Sequence, residues 1–240
     1  MKATLILLFL IIFSTQVDAQ TLSSAELLNK SIEFHDPNNS WKSFNDSFKV
    51  TMQTPDKSVR ESDITINLPK ESFSLRFNKD SLNLSYNIVK DSCSFKINNK
   101  IETNPTILKT HNLNCERGLL LKDYYTYLYG LPMKLKDEGT IIKPQVVEKT
   151  INNKSYYVIE VHYKQDIGSD IWFFYFDKTT YAMEVYQFFK TDDSGQLKKD
   201  SGEYIILTAI ETVNGIKMPK RRAWYYNKND GYLGTDILSN

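Results

Sequence analysis

The chain has 240 residues, 41% of them hydrophobic and 13% aromatic, with 30 Lys and Arg against 29 Asp and Glu for a formal net charge of +1. Such a balance leaves no electrostatic footprint for nucleic acid or an anionic membrane surface, so neither is expected as a partner. The length suits one large all-β or α+β domain, and the three histidines, His35, His111 and His162, stand too far apart for metal-ligand spacing.

Residues 1–19, MKATLILLFLIIFSTQVDA, read as a cleaved export signal. Lys2 supplies the positive start, Leu5 to Phe13 an unbroken apolar run, and Val17 and Ala19 the small side chains that a signal peptidase reads. The run is far shorter than the roughly 20 residues that cross a bilayer, and no comparable run follows. Gln20 rather than a cysteine stands after the cleavage site, so no lipid is expected on the mature N-terminus. The expectation is an exported, periplasmic or secreted protein with no transmembrane segment after cleavage, its residues 20–240 forming one domain.

A helix is expected from Ser24 to Phe34. Ser23 is placed as N-cap with Glu26 as its capping-box partner, and Leu22 with Leu27 as a hydrophobic staple. Ala25, Leu28 and Ile32 form a stripe that needs a sheet to cover. The turn-forming sequence from His35 to Ser40 ends the helix. The period then changes to two: Phe48, Val50, Met52; Ile64, Ile66, Leu68; Phe73, Leu75, Phe77; Leu82, Leu84, Tyr86, Ile88; and Cys93, Phe95, Ile97. Five short strands with brief turns read as an antiparallel meander with one polar face.

A second helix is expected over Cys115 to Tyr129, with Asn114 as N-cap and Gly130 and Pro132 as its stop. Its four tyrosines, Tyr124, Tyr125, Tyr127 and Tyr129, cover too much of the circumference to face only water. Strands resume at Tyr156 to Tyr163, where Tyr157, Ile159, Val161 and Tyr163 share one face. Ile171 to Phe176 is apolar on both faces, as a central strand covered from both sides would be. Tyr181 to Phe189, Tyr204 to Val213, the Asn214-Gly215 turn and a strand through Trp224, Tyr225 and Tyr226 follow.

Cys93 and Cys115 are the only cysteines. Export favours their pairing, which on the chain-entropy argument contributes about 3 to 4 kcal/mol. The alternative is two buried thiols, since Cys93 alternates with Phe95 and Ile97. No metalloprotease, nucleophile-elbow, phosphate-loop or zinc pattern occurs, so no catalytic residue, metal ligand or cofactor is assigned. His35 and Asp36 could form a general acid/base pair, but adjacent residues rarely point at one target. Lys217, Lys220, Arg221 and Arg222 read as a solvated strand end rather than an anion site. The aromatic excess fits either a tightly packed β core or a concave sheet left partly empty for an apolar ligand.

The order of capped helix, meander, inserted helix and further strands resembles the half-barrel of the periplasmic lipoprotein carriers, the LolA/LolB-like superfamily. The local matches are IWFFYFDKTTYAMEVYQFF (Ile171 to Phe189) and YIILTAIETVNGIKMPKRRAWYY (Tyr204 to Tyr226). With FHDPNNSW (Phe34 to Trp41), YYTYLYGLPMKL (Tyr124 to Leu135) and YYNKNDGYLGTDIL (Tyr225 to Leu238), the whole chain resembles a family of uncharacterised exported envelope proteins grouped near those carriers. The resemblance implies an α+β, mainly β fold: a curved antiparallel sheet, an open half-barrel, with the N-terminal and inserted helices covering its concave face. It also implies a non-enzymatic binder of a hydrophobic ligand, such as a lipid or lipoprotein acyl chains, in an apolar cleft. Phe48, Val50, Met52, Phe73, Leu75, Tyr125, Leu128, Trp172, Phe174 and Met183 are the cleft candidates. Two other readings stay open: an envelope module that meets a protein partner through Trp224, Tyr225 and Tyr226, and a secreted hydrolase with an unrecognised site, which loss of activity on changing His35 or Asp36 would reveal.

Overall fold

The computed structural model describes residues 22–79, 81–90 and 92–240, and the expected signal peptide lies outside them. Helix α1 spans Ser24–His35 and begins with the expected capping box. The Ser23 hydroxyl accepts from the Glu26 amide at 3.3 Å, and the Glu26 carboxylate accepts from the Ser23 amide at 2.9 Å. Each bond occupies a backbone N–H that the first helical turn leaves without a partner. Leu27 and Leu28 then enter the core.

Strands β1 (Asn45–Thr54), β2 (Lys57–Asn67), β3 (Ser72–Lys79), β4 (Leu82–Val89), β5 (Ser92–Ile97) and β6 (Lys100–Ile101) form an antiparallel meander. Helices α2 (Pro105–Thr110) and α3 (Cys115–Gly130) follow. A second meander contains β7 (Thr140–Ile142), β8 (Val147–Ile151), β9 (Lys154–Tyr163), β10 (Ile171–Asp177), β11 (Met183–Phe189), β12 (Glu203–Val213), β13 (Ile216–Tyr226) and β14 (Tyr232–Ser239). β7 and β8 both pair with β9. The last strand, β14, returns to pair with the first, Leu238 opposite Val50, and so joins both meanders into one open antiparallel sheet of 14 strands.

Both expected helices and the expected strands are present, and α2, β6, β7, β8 and β14 are additional. Three hairpins turn through two residues at positive φ, Asn98-Asn99, Asn152-Asn153 and Asn214-Gly215. That conformation matches the right-handed twist of the flanking strands and favours Asn and Gly. Of the three, the sequence reading marked the Asn-Gly pair.

The main core lies on the face that carries α1 and α3. Phe48, Ile64, Phe73, Tyr86, Phe174, Ile205, Met218 and Leu238 pack there with residues of both helices. On the other face a smaller cluster covers β9 to β11, with Tyr156, Val158, Phe173, Tyr175 and Val185. β10 is therefore buried on both sides, as its unbroken apolar sequence requires.

Helix α3 lies across the strands rather than along one. Its first residue, Cys115, is disulfide-bonded to Cys93 on β5, with Cα atoms 5.9 Å apart. Gly118 lies so close to Tyr86 on β4 that an added methyl would stand 2.9 Å from the ring. Farther along, Tyr125 stacks on Phe73 at 6.3 Å and Tyr129 meets Phe48 at 4.7 Å. Of the four tyrosines, Tyr125 and Tyr129 are buried against the sheet, and Tyr124 is more exposed.

Replacing Cys93 and Cys115 together by serine should lower unfolding stability by about 3 kcal/mol, the loop-closure value for a cross-link of this span. Urea unfolding of the variant against the oxidised protein measures it, and peptide mapping without reductant should recover the linked pair.

Candidate functional site

The two residues first weighed for acid/base chemistry are both engaged by the backbone. His35 is fully buried, with Nδ1 2.6 Å from the Lys217 carbonyl oxygen, while Nε2 accepts from the Met183 amide at 2.9 Å. This pattern fixes the neutral tautomer with the proton on Nδ1. Burial lowers its pKa from 6.5 to about 4, against the Lys217 carbonyl bond, which raises it. Asp36 caps the helix end by accepting from the Ser40 and Trp41 amides at 2.7 and 2.9 Å. Together they dock α1 onto β11 and β13 and shape the chain's exit from the helix.

Arg222 overturns its reading as part of a solvated strand end, because it is 1% exposed. Alternation along β13 turns Arg222 and Trp224 to the helix-covered face, whereas Arg221 points to water. Its Nη1 donates to the Pro219 carbonyl at 3.1 Å and its Nη2 to the Leu128 carbonyl, in the last turn of α3, at 3.4 Å. The guanidinium also lies 3.9 Å from the centre of the Tyr129 ring. A cation at the C-terminal end of a helix meets unpaired carbonyls and the negative end of the dipole, so Arg222 helps to hold α3 at this end.

Directly across the ladder from Arg222 stands Asp236 on β14, and across from Asp236 stands Met52 on β1, followed by Arg60 on β2. The neighbouring row runs Phe174, Tyr186, Ile205, Trp224, Gly234. Where these rows meet, Trp224 faces a glycine, and bulges at β1 and β14 shift the register on both sides. Such bulges re-aim side chains beside binding sites. The result is a pocket of about 310 Å³ lined by Met52, Tyr124, Glu203, Trp224, Leu233 and Asp236, with Thr54, Gly234 and Thr235. Its volume is at the lower end of small-molecule sites.

Asp236 is 6% exposed and forms no ion pair among the described residues. Burial raises its carboxyl above the ordinary aspartate range, and the opposing effects of Arg222, Arg60 and the Trp224 indole do not cancel this. Burial likewise raises Glu203, opposed by Lys190. The hydroxyls of Tyr129 and Tyr186 and Nε of both Arg60 and Arg222 are buried without a hydrogen-bond partner in the structure. Among the described residues no cluster of His, Cys, Asp and Glu could hold a metal ion, and no helix is long and apolar enough to cross a membrane.

A family described as "Family of unknown function (DUF6503)" matches residues 2–240. The chain belongs to it. This DUF6503 protein is similar in structure to a LolA superfamily protein from Nitrosomonas europaea, with a TM-score of 0.51 and 11% identity over 92% of this chain and 93% of the other. For a DUF1329 family protein from Desulfovibrio piger the TM-score is 0.48 and the identity 8%, over 90% and 91%. None of the curated proteins matches the chain. The LolA-like resemblance read from the sequence thus holds at the level of fold.

Within the DUF6503 fold the cleft candidates divide. Phe48, Val50, Phe73, Leu75, Tyr125, Leu128 and Phe174 are buried and packed against one another in the main core. Met52 lines the pocket beside Asp236, Met183 borders a shallow depression next to Phe34, and Trp172 borders another with Tyr127 and Tyr163. Trp224, first grouped with Tyr225 and Tyr226, faces the pocket instead, while Tyr225 stacks with Tyr204 at 5.2 Å and Tyr226 is exposed. The sequence reading did not single out Tyr124 beyond its helix or Glu203, and it took Leu233, Gly234 and Asp236 only as part of the stretch from Tyr225 to Leu238 that carries the family resemblance. The one available signal was the spacing of two that sets Gly234 and Asp236 in line with Leu238.

Between pH 6.5 and 4 an unfolded His35 is protonated while the folded one is not, so stability should fall as pH drops through that window, by roughly 3 kcal/mol in all. His35→Gln should lack this component, and urea titrations of both proteins at stepped pH will show their difference narrowing toward pH 4. Arg222→Ala should cost about 3 to 5 kcal/mol, as loss of one member of a buried charged network does. Arg222→Lys should recover little of it, because one ammonium cannot reach both carbonyls and stack on Tyr129.

Proposed function

We propose that this protein is an exported, non-enzymatic binder or carrier of a lipid or another hydrophobic molecule. The observation that carries the reading is the pocket under Tyr124, where Met52, Leu233 and Trp224 form apolar walls beside the main core. Glu203 also borders a second depression, lined by Phe188 and Tyr226. Phe188 stacks on Trp172 at 4.8 Å, and Trp172 lies 6.1 Å from Tyr127 of α3. Half-buried aromatics therefore line one side of α3 over several strands. An apolar chain laid there would bury its surface against rigid rings that lose little entropy on binding. The LolA-like fold and the engagement of His35 and Asp36 by backbone groups support binding over hydrolysis.

An envelope interaction module is the second reading, supported by Tyr204, Tyr225 and Tyr232, which stack in sequence across β12, β13 and β14 on the sheet's other face. The deciding experiment is native purification from the periplasm, solvent extraction and lipid mass spectrometry against a mock preparation. About one lipid per protein is expected, and Trp224→Ala should reduce its retention. Lipid-free protein that co-purifies with a stoichiometric protein partner would reverse the preference.

A further inference from the structure

Apolar walls alone do not account for the composition of this pocket. Both of its charged lining residues, Asp236 and Glu203, are acidic, and no basic side chain lines it. Asp236 is more than nine-tenths buried at its base. Arg222 and Arg60 ease its burial through space, but neither forms an ion pair with it. Arg222 spends its Nη1 and Nη2 donors on the Pro219 and Leu128 carbonyls and its face on Tyr129. Arg60 stands beyond Met52, two strands away in the register. A buried carboxylate without a direct cation is costly, and the cost falls when a ligand supplies the missing charge. Around it, Trp224 and Tyr124 contribute aromatic rings, whose faces attract cations, and Thr54 contributes a hydroxyl oxygen as acceptor.

We propose that the ligand is an amphiphile with a protonated amine, its ammonium seated between Asp236 and Glu203 against Trp224 and Tyr124, and its apolar part along Met52 and Leu233. This rests on the hydrophobic-binder reading and names the head group that reading leaves open. A primary ammonium fits better than a quaternary one, because its three N–H donors match the carboxylate and hydroxyl acceptors. A carboxylate head group is disfavoured, since it would enter beside two acids.

Calorimetric titration of the protein at pH 7 with dodecylamine, dodecanol and dodecanoate, each below its micelle concentration, tests the assignment. Dodecylamine should bind at least about tenfold more tightly than dodecanol, the worth of one charge-assisted hydrogen bond, and dodecanoate more weakly than either. Asp236→Asn should bring dodecylamine down to the dodecanol value while leaving dodecanol unchanged, and Glu203→Gln at the rim should reduce the preference by less. Dodecanoate equal to or tighter than dodecylamine would overturn the assignment, as would an amine preference that survives in Asp236→Asn. Equal binding of all three would overturn the head group alone, whereas no binding of any would remove the apolar pocket as a site and this inference with it.

Discussion

A buried arginine fixes where α3 ends on the helix-covered face. Arg222 is the largest fully buried side chain among the described residues, and the carbonyl it reaches on α3 is that of Leu128, in the helix's last turn. Burying a guanidinium is costly unless its donors and its charge are both met. Two carbonyls, the Tyr129 ring and the opposed Asp236 divide that task. The arrangement holds only while α3 ends over the middle of β13, so it specifies the helix's place more sharply than apolar packing would. An apolar face tolerates sliding, and a forked donor beneath a particular carbonyl does not.

Arg222 and Asp236 face each other across the β13–β14 hairpin, and Met52 and Arg60 join their row because the last strand is inserted beside the first. Each meander is local, and each hairpin can be formed by neighbours in sequence. The β1–β14 pairing joins residues nearly the whole chain apart, with Gln53 opposite Thr235 and Lys49 opposite Ser239. Closing so long a loop is slow and comes at an entropic cost that only a large buried area offsets. Irregularity gathers at this seam: the β1 bulge, the β14 bulge and Gly234, whose added Cβ would press on the Gln53 carbonyl oxygen at 2.6 Å. The pocket opens at the same seam. Its shape follows from two meanders of local origin meeting between the register shifts of their flanking pairs.

The fold was largely legible and the site largely was not, for one physical reason. Alternating hydrophobicity reports which face of a strand is buried, and it located the first five strands, α1, α3 and the doubly buried β10. β14 escaped because its inward positions are Gly234, Asp236 and Leu238, two of which break the apolar pattern. Those two residues belong to the pocket. Arg222 escaped in the same way: among Lys217, Lys220 and Arg221 it looked like one more solvated charge, and only the ladder to Asp236 and the contact with Leu128 set it apart. Residues that depart from the folding pattern at a site are the ones a pattern reading assigns to loops or surface. The cleft candidates drawn from strong alternation were mostly core for the converse reason.

The helix that roofs the pocket is held unequally at its two ends, which bears on what the pocket can admit. Cys115 ties the first turn of α3 covalently to β5. The last turn depends on the Arg222 fork and on Gly130 packed against the Trp41 ring. Tyr124 and Leu128 are one turn apart, so a ligand that displaces Tyr124 also strains the carbonyl that Arg222 grips. A chain end or a single ring fits about 310 Å³ without moving the helix. Anything bulkier must lift the C-terminal end first, because the disulfide keeps the other down. Lifting it strips Arg222 of a carbonyl and of its aromatic partner and leaves Asp236 as the nearest opposite charge. Ligand size and the charge balance beneath the helix are therefore coupled through one side chain.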